Sequence, residues 1–187
     1  MATAHLPEST LFFTAVLAAD EPALAAARAA LAAEWGEIVL ASPAYPFHYT
    51  SYYEREAGAR ILRAFLAFAA PFAREELPDR KLRSNAIEKI LRAEIGGELP
   101  RPVNLDPGYL ALDKLVLASC KDFSHRLYLR DGVYAEITLS YRGGKWTHFP
   151  WTFPDYASGD YDEFFVQMRD CLRRRRGQAS PLTRQVW

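Results

Sequence analysis

The chain has 187 residues, and its 23 basic side chains equal its 23 acidic ones in number. This balance gives no overall field that would draw nucleic acid or an anionic membrane, so nucleic acid is not favoured as a partner, although it stays open. Half of the residues are hydrophobic and a quarter are charged, as in an ordinary globular protein, and the length fits one domain spanning residues 1–187.

The cysteines and the apolar runs indicate the cellular setting. Cys120 and Cys171 are the two cysteines, and they lack paired spacing, which argues against a disulfide framework and fits a reducing compartment. The apolar run Leu11–Ala19 has no Lys or Arg before it, unlike a signal peptide. No run approaches the roughly 20 apolar residues of a membrane span. We therefore expect a cytoplasmic protein with no membrane partner, and the sequence leaves its oligomeric state open.

The first elements follow a strand–helix–strand pattern. Thr10–Ala19 is a short apolar run that predicts a buried strand, and Asp20 can cap the helix after it. Apolar residues then recur at helical spacing as far as Gly36, which can end the helix. Ile38–Ala41 predicts a second strand. Together these elements predict a βαβ unit with two parallel neighbouring strands and a right-handed crossover.

Helical patterns fill the rest of the first half. Pro43–Tyr53 is an aromatic loop, and we expect one helix from about Tyr52 to Phe68 and another from about Pro78 to Ile95. Gly96-Gly97 ends the second helix. The chain is thus divided into a βαβ and helical half, residues 1–97, a second half, residues 98–176, and a tail, residues 177–187.

From Leu110 the period changes to that of strands. Asp106-Pro107-Gly108-Tyr109, just before, is typical of a type II turn, with proline at its second position and glycine at its third. Four strands and a closing helix are expected after it: Leu110–Ser119, His125–Arg130, Val133–Arg142, Lys145–Phe149 and helix Asp160–Arg176. The predicted fold class is α+β, with an N-terminal βαβ unit plus helices joined to an antiparallel meander of about four strands with a C-terminal helix.

The hairpin loops predict how these strands pair. A two-residue loop at Asp131-Gly132 would break the alternation of apolar and polar side chains, so we expect the three-residue loop Arg130-Asp131-Gly132, followed later by a two-residue loop at Gly143-Gly144. The expected pairs are Leu129–Val133, Leu127–Ala135 and Arg126–Glu136 across the first loop, and Tyr141–Trp146 and Leu139–His148 across the second.

Alternation then assigns two faces to this sheet. An aliphatic face, which we expect to pack against helices, carries Leu127, Leu129, Ala135, Ile137 and Leu139, with His125 and His148. The other face, which either meets solvent or lines a pocket, carries Arg126, Tyr128, Tyr134, Glu136, Thr138 and Ser140.

The cross-strand pair of Arg126 and Glu136 has two interpretations. It can be a structural ion pair on a half-exposed sheet. Alternatively, Arg126 and Lys121 bind an anionic ligand while Glu136 orients the guanidinium, which presents a bidentate surface to carboxylate or phosphate.

Two loops at the ends of the predicted strands add further candidates. Asp106 and Tyr109 belong to the first loop, and Asp155 belongs to the aromatic loop Trp151–Tyr156. In the ligand-site hypothesis, Asp106 and His125 are the candidate catalytic residues for acid–base chemistry. Tyr109 and Asp155 are candidate ligand-binding residues.

Several familiar signatures are missing from the sequence. Histidine spacing of the HxxxH or HExxH kind is absent, and we predict no metal site. The GxxxxGK[ST], GxGxxG and GxSxG patterns are absent as well, which argues against a P-loop nucleotide triphosphatase.

The same polar and aromatic segments carry a family resemblance. They are Arg101–Leu110, Lys114–Ser119, Lys121-Asp122 with His125-Arg126, Tyr134–Glu136 and Trp151–Tyr156, and in the first half Tyr45–Phe47, Tyr52-Tyr53 with Glu56 and Gly58, and Lys81-Leu82 with Asn85 and Glu88. With these motifs the chain resembles an uncharacterised bacterial family, domain of unknown function 4416. The resemblance implies a single-domain bacterial protein and supplies no activity or cofactor.

Two functional hypotheses follow. The first is a polar site, enzymatic or not, for a small anionic or nucleotide-like ligand. The second is an RNA- or protein-binding module in which Tyr128, Tyr134 and the aromatic loop stack bases or pack on a partner. Convergence of Asp106, His125, Arg126 and Asp155 in one concave pocket would favour the first hypothesis.

Overall fold

The structure, a computed structural model, describes residues 2–49, 57–58 and 60–178. In these residues nine strands form one sheet, and strands from both halves of the sequence take part in it. The strands are β1 (Leu11–Ala18), β2 (Ile38–Ala41), β3 (Tyr45–Pro46), β4 (Leu62–Phe68), β5 (Val103–Leu110), β6 (Lys114–Ser119), β7 (Leu127–Arg130), β8 (Val133–Arg142) and β9 (Lys145–His148).

Helices cover both faces of this sheet. Within the described residues they are α1 (Glu21–Trp35), α2 (Leu77–Ile95), the short α3 (Pro154–Ala157) and α4 (Asp162–Gln178). One core cluster packs α1 and α2 on the first face, and a second packs α3 and α4 on the other. The predicted α+β class, the antiparallel sheet and the C-terminal helix are confirmed. Among the described residues, no helix has the length and apolar character needed to cross a bilayer.

The first half contains the predicted strand–helix–strand unit in an altered arrangement. Asp20 caps α1 by accepting a hydrogen bond from the Ala23 amide at 2.8 Å. Strands β1 and β2 run parallel, since each is antiparallel to β4, which lies between them. The two strands are therefore not the direct neighbours that the βαβ pattern predicts. Insertion of a third strand turns the unit into a split βαβ.

The helix predicted from about Tyr52 to Phe68 is wrong for its last part, because Leu62–Phe68 is strand β4. Tyr52 lies outside the described residues. The apolar side chains at helical spacing misled the prediction, since β4 is covered by helices on both faces and buries successive residues. Such a strand shows no alternation, so its period does not distinguish it from a buried helix.

The predicted type II turn at Asp106–Tyr109 is also wrong, because all four residues lie within β5. Just after β5, the amide of Ala111 donates a hydrogen bond to the Lys114 carbonyl at 2.8 Å. Because amide directions alternate along a strand, the odd-numbered residues of β5 also direct their amides toward β6. Pro107 has this parity and lacks an N–H. It stands where the β5–β6 ladder has already ended, so its missing donor interrupts no hydrogen bond between strands.

The second half has both predicted hairpins but not the sequential order of a meander. Strand β6 pairs with β8 rather than with β7. Strands β7 and β9 share the other edge of β8, β7 beside its first residues and β9 beside its last. The ten residues of β8 are long enough to pair with both short strands, so β6 takes the free edge. The pairs Tyr141–Trp146 and Leu139–His148 are confirmed.

The first hairpin combines a two-residue loop with a bulge. Asp131 and Gly132 both have positive φ, 53° and 74°, as in a type I′ turn, and Arg130 pairs with Val133. The predicted Leu129–Val133 pair is therefore wrong. A register shift at Leu129 restores the predicted pairing of Leu127 with Ala135.

A second bulge changes the predicted faces. Leu115 pairs with Leu139 while Val116 pairs with Ile137, so Thr138 is an extra residue in β8. As a result Leu139 shares a face with Glu136, not with Ile137. The aliphatic face is also not fully covered by helices, because Leu127, Leu129 and Ile137 are 74%, 39% and 43% exposed.

Candidate functional site

The sheet opens between β5 and β6. Their ladder covers Gly108–Leu110 and Leu115–Leu117, and the strands separate toward Asn104. At the last pair the chains are very close, since a Cβ on Gly108 would stand 2.3 Å from the Val116 carbonyl oxygen. Glycine at this position allows the close contact, and the strands diverge from there.

Side chains from α2 replace the missing ladder. The amide of Leu105 donates to Glu88 Oε1 at 2.7 Å, and the carbonyl of Leu105 accepts from Lys81 Nζ at 2.9 Å. Both backbone groups face the gap and would otherwise be buried without a partner. Lys81 and Glu88 lie seven residues apart, on one side of α2, so a single helix face fills the opening.

The opening is the inner wall of a cavity of about 830 Å³. Arg63, Asp106 and Glu136 reach it from the sheet face that α3 and α4 cover, since Arg63 has the parity of buried Phe65 and Asp106 stands opposite Ala15. Among the described residues, the charged lining comprises seven cations, Arg63, Lys81, Lys89, Arg92, Arg101, Lys121 and Arg126, against four carboxylates, Glu88, Asp106, Glu136 and Asp155. The aromatic lining comprises Phe47, Tyr49, Phe153 and Tyr156.

We call the buried inner part of the cavity the floor; it comprises Arg63, Lys81, Asp106, Asp155, Phe47 and Tyr156. Arg63 is its central group and is 4% exposed. Its Nη2 and Nε contact Asp155 Oδ2 at 3.0 and 3.2 Å, and its Nη1 is 3.9 Å from Asp106 Oδ2. The guanidinium carbon lies 5.3 Å from the ring centre of Phe47 and 5.7 Å from that of Tyr156. The floor thus holds a buried, paired cation between two aromatic rings.

Asp106 is held in its ionised form. It accepts from Asn104 Nδ2 at 2.6 Å and lies 3.3 Å from Lys81 Nζ. Burial alone would raise the pKa of Asp106, but the neighbouring cations, Lys81 foremost, hold that pKa below its ordinary value. Because 28% of its side chain is exposed, the carboxylate still presents acceptor capacity to the cavity.

The other two inner carboxylates have the opposite tendency. Burial raises the pKa of Asp155, and Arg63 offsets this only in part. Burial likewise raises the pKa of Glu88, which pairs with Arg101 at 2.8 and 3.0 Å. Burial also raises the pKa of Tyr156 well above its ordinary value, so its hydroxyl stays protonated.

Two buried donors on the floor lack partners. In the part of the chain that the structure describes, neither Arg63 Nη1 nor the Tyr156 hydroxyl makes a hydrogen bond. Buried polar atoms of native proteins are nearly always satisfied, so donors without partners in the wall of a cavity indicate a place for a bound acceptor.

A second polar group stands on β8. Glu136 is 2% exposed and accepts from Arg126 Nε at 2.7 Å, as the predicted cross-strand pair requires. Arg126 Nη1 also donates to Ser119 Oγ at 2.8 Å and to the Lys121 carbonyl at 2.9 Å. Its side chain is 5% exposed, so these bonds lock the guanidinium in place at the cavity wall.

The sequence-predicted residues are brought together in part. The five that line the cavity are Asp106, Lys121, Arg126, Glu136 and Asp155. His125 lies beside it, with Nε2 3.3 Å from Glu136 Oε2, so the prediction that it points away from Glu136 is wrong. Tyr109 packs elsewhere, with the guanidinium of Arg74 5.5 Å from its ring centre. His148 is exposed on β9.

Sequence reasoning missed several lining residues. Arg63 is a single charge in an apolar run, and such a charge requires a partner when buried, which is a usable signal. Lys81, Asn85, Glu88 and Arg92 share one side of α2, a polar stripe that is visible in the sequence. Among the described residues, no group of three or more His, Cys, Asp or Glu side chains could hold a metal ion.

The fold and site define an α+β protein with a cation-rich cavity in a split antiparallel sheet. The chain belongs to the family described as domain of unknown function (DUF4416), whose model matches residues 8–171. This confirms the resemblance noted in the sequence. No curated protein and no solved structure matches the chain significantly.

Proposed function

We propose that the cavity binds a small anionic ligand. The observation that carries the proposal is the surplus of cations over carboxylates among the described residues of its lining. The volume of about 830 Å³ lies in the range, roughly 300–1,000 Å³, of small-molecule sites. A concave site with one sign of charge concentrates ligands of the opposite sign.

The outer part of the cavity, which we call the rim, carries the cations Lys89, Arg92 and Lys121. Lys89 forms no ion pair with any described residue, and the guanidinium of Arg92 bonds the Gly97 carbonyl at 3.1 Å rather than a carboxylate. Lys89 and Arg92 are therefore available to an incoming anion without breaking an ion pair with a described residue. Arg126, fixed by Glu136 and Ser119, adds a preorganised guanidinium, which also bonds the Lys121 carbonyl.

Binding is supported better than the acid–base chemistry predicted for Asp106 and His125. A carboxylate with a lowered pKa holds its charge at neutral pH and is a weak base, which suits it to accept hydrogen bonds. His125 lies beside the cavity and is stacked on Trp151, with ring centres 5.5 Å apart. No reaction is therefore part of the proposal.

Calorimetric titration with inorganic phosphate, pyrophosphate and citrate tests the proposal. We expect the wild type to bind at least one of these probes and the double variant Lys89→Gln/Arg92→Gln to bind it at least about tenfold more weakly, since each hydrogen bond to a charged group contributes about 1.5–3 kcal/mol. Arg28→Gln, an exposed change on α1, is the control and should bind like the wild type. Absence of binding to all three probes, or equal binding by the double variant, would overturn the proposal.

A second candidate function rests on the exposed aromatic pair of the first hairpin. Tyr128 is 61% exposed, so its ring is accessible for stacking on a base, and it meets Tyr134 edge to face with ring centres 5.3 Å apart. Fluorescence anisotropy with a single-stranded RNA oligonucleotide tests it. Binding that Tyr128→Ala abolishes would support a nucleic-acid module, and no binding at low salt would remove it.

The cytoplasmic setting is part of the same proposal. Cys120 and Cys171 are both free thiols, which suits a reducing compartment. Fractionation of cells that produce the tagged protein would test this. Recovery with the membrane or secreted fraction would contradict it.

A further inference from the structure

We propose that the ligand is a phosphorylated sugar or polyol, bound with its phosphate at the rim and its uncharged hydroxyl-bearing end on the cavity floor. This inference rests on the proposed function and adds the ligand's class and orientation. It follows from three features of the cavity: the separation of paired from unpaired charge, the two donors without partners, and the aromatic wall.

The floor is electrically balanced. Arg63 is paired with Asp155, and Lys81 is paired with Asp106, at 3.0 and 3.3 Å. A phosphate placed there would meet two carboxylates that already occupy the nearest cations. The unpaired cations, Lys89 and Arg92, stand at the rim, three residues apart on α2. Charge therefore favours the anionic group at the rim and an uncharged group on the floor.

The floor nevertheless offers both hydrogen-bond donors and a hydrogen-bond acceptor to a ligand. Arg63 Nη1 and the Tyr156 hydroxyl are buried donors without partners in the described residues. Asp106 is an acceptor, ionised and 28% exposed. A hydroxyl group donates one hydrogen bond and accepts two, so neighbouring hydroxyls of one ligand can satisfy all three groups once side chains on the floor turn to expose the two donors, which are fully buried before binding. A simple hydrocarbon would leave the donors unsatisfied, and a second phosphate would be repelled by the carboxylates.

The aromatic wall suits the carbon face of such a ligand. Phe47 and Tyr156 flank Arg63 on the floor, and Phe153, 39% exposed, extends this wall toward the mouth. Rings on one side and hydrogen-bonding groups on the other match a molecule with C–H groups on one face and hydroxyls around its edge.

Titration of the full chain with glucose 6-phosphate, sorbitol 6-phosphate and inorganic phosphate tests this. We expect the sugar or the polyol phosphate to bind at least about tenfold tighter than phosphate, since two or more hydrogen bonds are added on the floor. The relative affinities of the cyclic and open-chain probes then distinguish a sugar from a polyol.

A pair of variants that each remove one buried hydroxyl locates the hydroxyl-bearing end of the ligand. Tyr156→Phe removes one unpaired hydroxyl, so the fold should not lose stability, while binding of the preferred probe should weaken about three- to tenfold and binding of phosphate should stay unchanged. Thr14→Val is the control, because the Thr14 hydroxyl is also buried without a hydrogen-bond partner among the described residues, while Thr14 is not among the residues that line the cavity. It should leave both affinities unchanged.

The outcomes separate this inference from the proposed function. If phosphate binds and depends on Lys89 and Arg92, but neither organic phosphate binds tighter, the inference fails and the anion site stands. The same holds if Tyr156→Phe weakens phosphate and the organic probe equally. If no probe binds at all, the proposed function fails as well.

Discussion

The two ends of strand β5 are held in different ways. At its C-terminal end, Gly108–Leu110 pair with β6 through the backbone, and the chains approach so closely that a Cβ on Gly108 would collide with the Val116 carbonyl oxygen. At its N-terminal end, charged side chains of α2 hold the backbone of Leu105 instead. The closed end gives rigidity without specific chemistry. The open end places ionisable groups around a cavity, so the binding site arises from a sheet that stops pairing partway along a strand.

Removal of the Lys81 ammonium group on α2 should have the largest effect on the stability of the protein. Lys81→Met keeps the side-chain length but leaves the Leu105 carbonyl and the Asp106 carboxylate without their donor. Breaking a buried ion pair in this way costs about 3–5 kcal/mol in free energy of unfolding. Urea denaturation measures it, with Lys89→Met on the same helix as control, expected within about 0.5 kcal/mol of the wild type. Equal stabilities of the two variants would show that the open end does not depend on Lys81.

A change at the closed end should have an intermediate effect. In Gly108→Ala the added Cβ would lie 2.3 Å from the Val116 carbonyl oxygen, so β5 and β6 must move apart, at a cost of about 1–3 kcal/mol. Gly177→Ala in α4 meets no atom within 4 Å and should be neutral or slightly stabilising. Thermal unfolding compares the two variants. A stable Gly108→Ala protein would contradict the close contact that marks the end of the ladder.

The smallest effect should be one of pH dependence. The pKa of Asp106 is lower in the folded protein than its ordinary value of 3.8, which we take for the unfolded chain. The ionised carboxylate therefore stabilises the fold at pH values above 3.8, and this stabilisation is lost as the pH falls through the pKa of the folded state. Asp106→Asn should therefore cost more stability at pH 7 than at pH 3. The pKa of Asp155 is raised, so its own titration works in the opposite direction, and Asp155→Asn should show the opposite slope. Denaturation across this pH range measures both, and parallel curves would refute the assignment.

Local patterns predicted most of the regular elements. The apolar run before Asp20, the helix after it, the long helix ending at Ile95 and the pairing of Leu127 with Ala135 all follow from spacing and turn residues. Strand β4 could not be distinguished from a helix, because a strand covered on both faces loses its alternation. Asp106–Tyr109 has the composition of a turn, and only the path of β6 explains why it forms a strand. Pro107 lies beyond the end of the β5–β6 ladder, and Gly108 allows the close contact with Val116.

The site was predictable where a pairing rule applied and not where distant elements meet. Arg126 and Glu136 follow from hairpin register, although the loop differs from the expected one. Arg63 and Asp155 are 92 residues apart and come into contact through a sheet order that no local rule gives. Tyr109 was selected for its place in a turn that does not form, so its side chain packs in the core cluster of α1 and α2 instead.

The bond from Leu105 to Glu88 has a consequence for spectroscopy. A strand amide is usually protected from hydrogen exchange by the neighbouring strand, but this one is protected by a carboxylate on a helix. Its exchange rate therefore reports the docking of α2 on the sheet rather than the opening of a β-ladder. A single backbone resonance can follow, without any label in the cavity, whether an added compound tightens the helix against the gap.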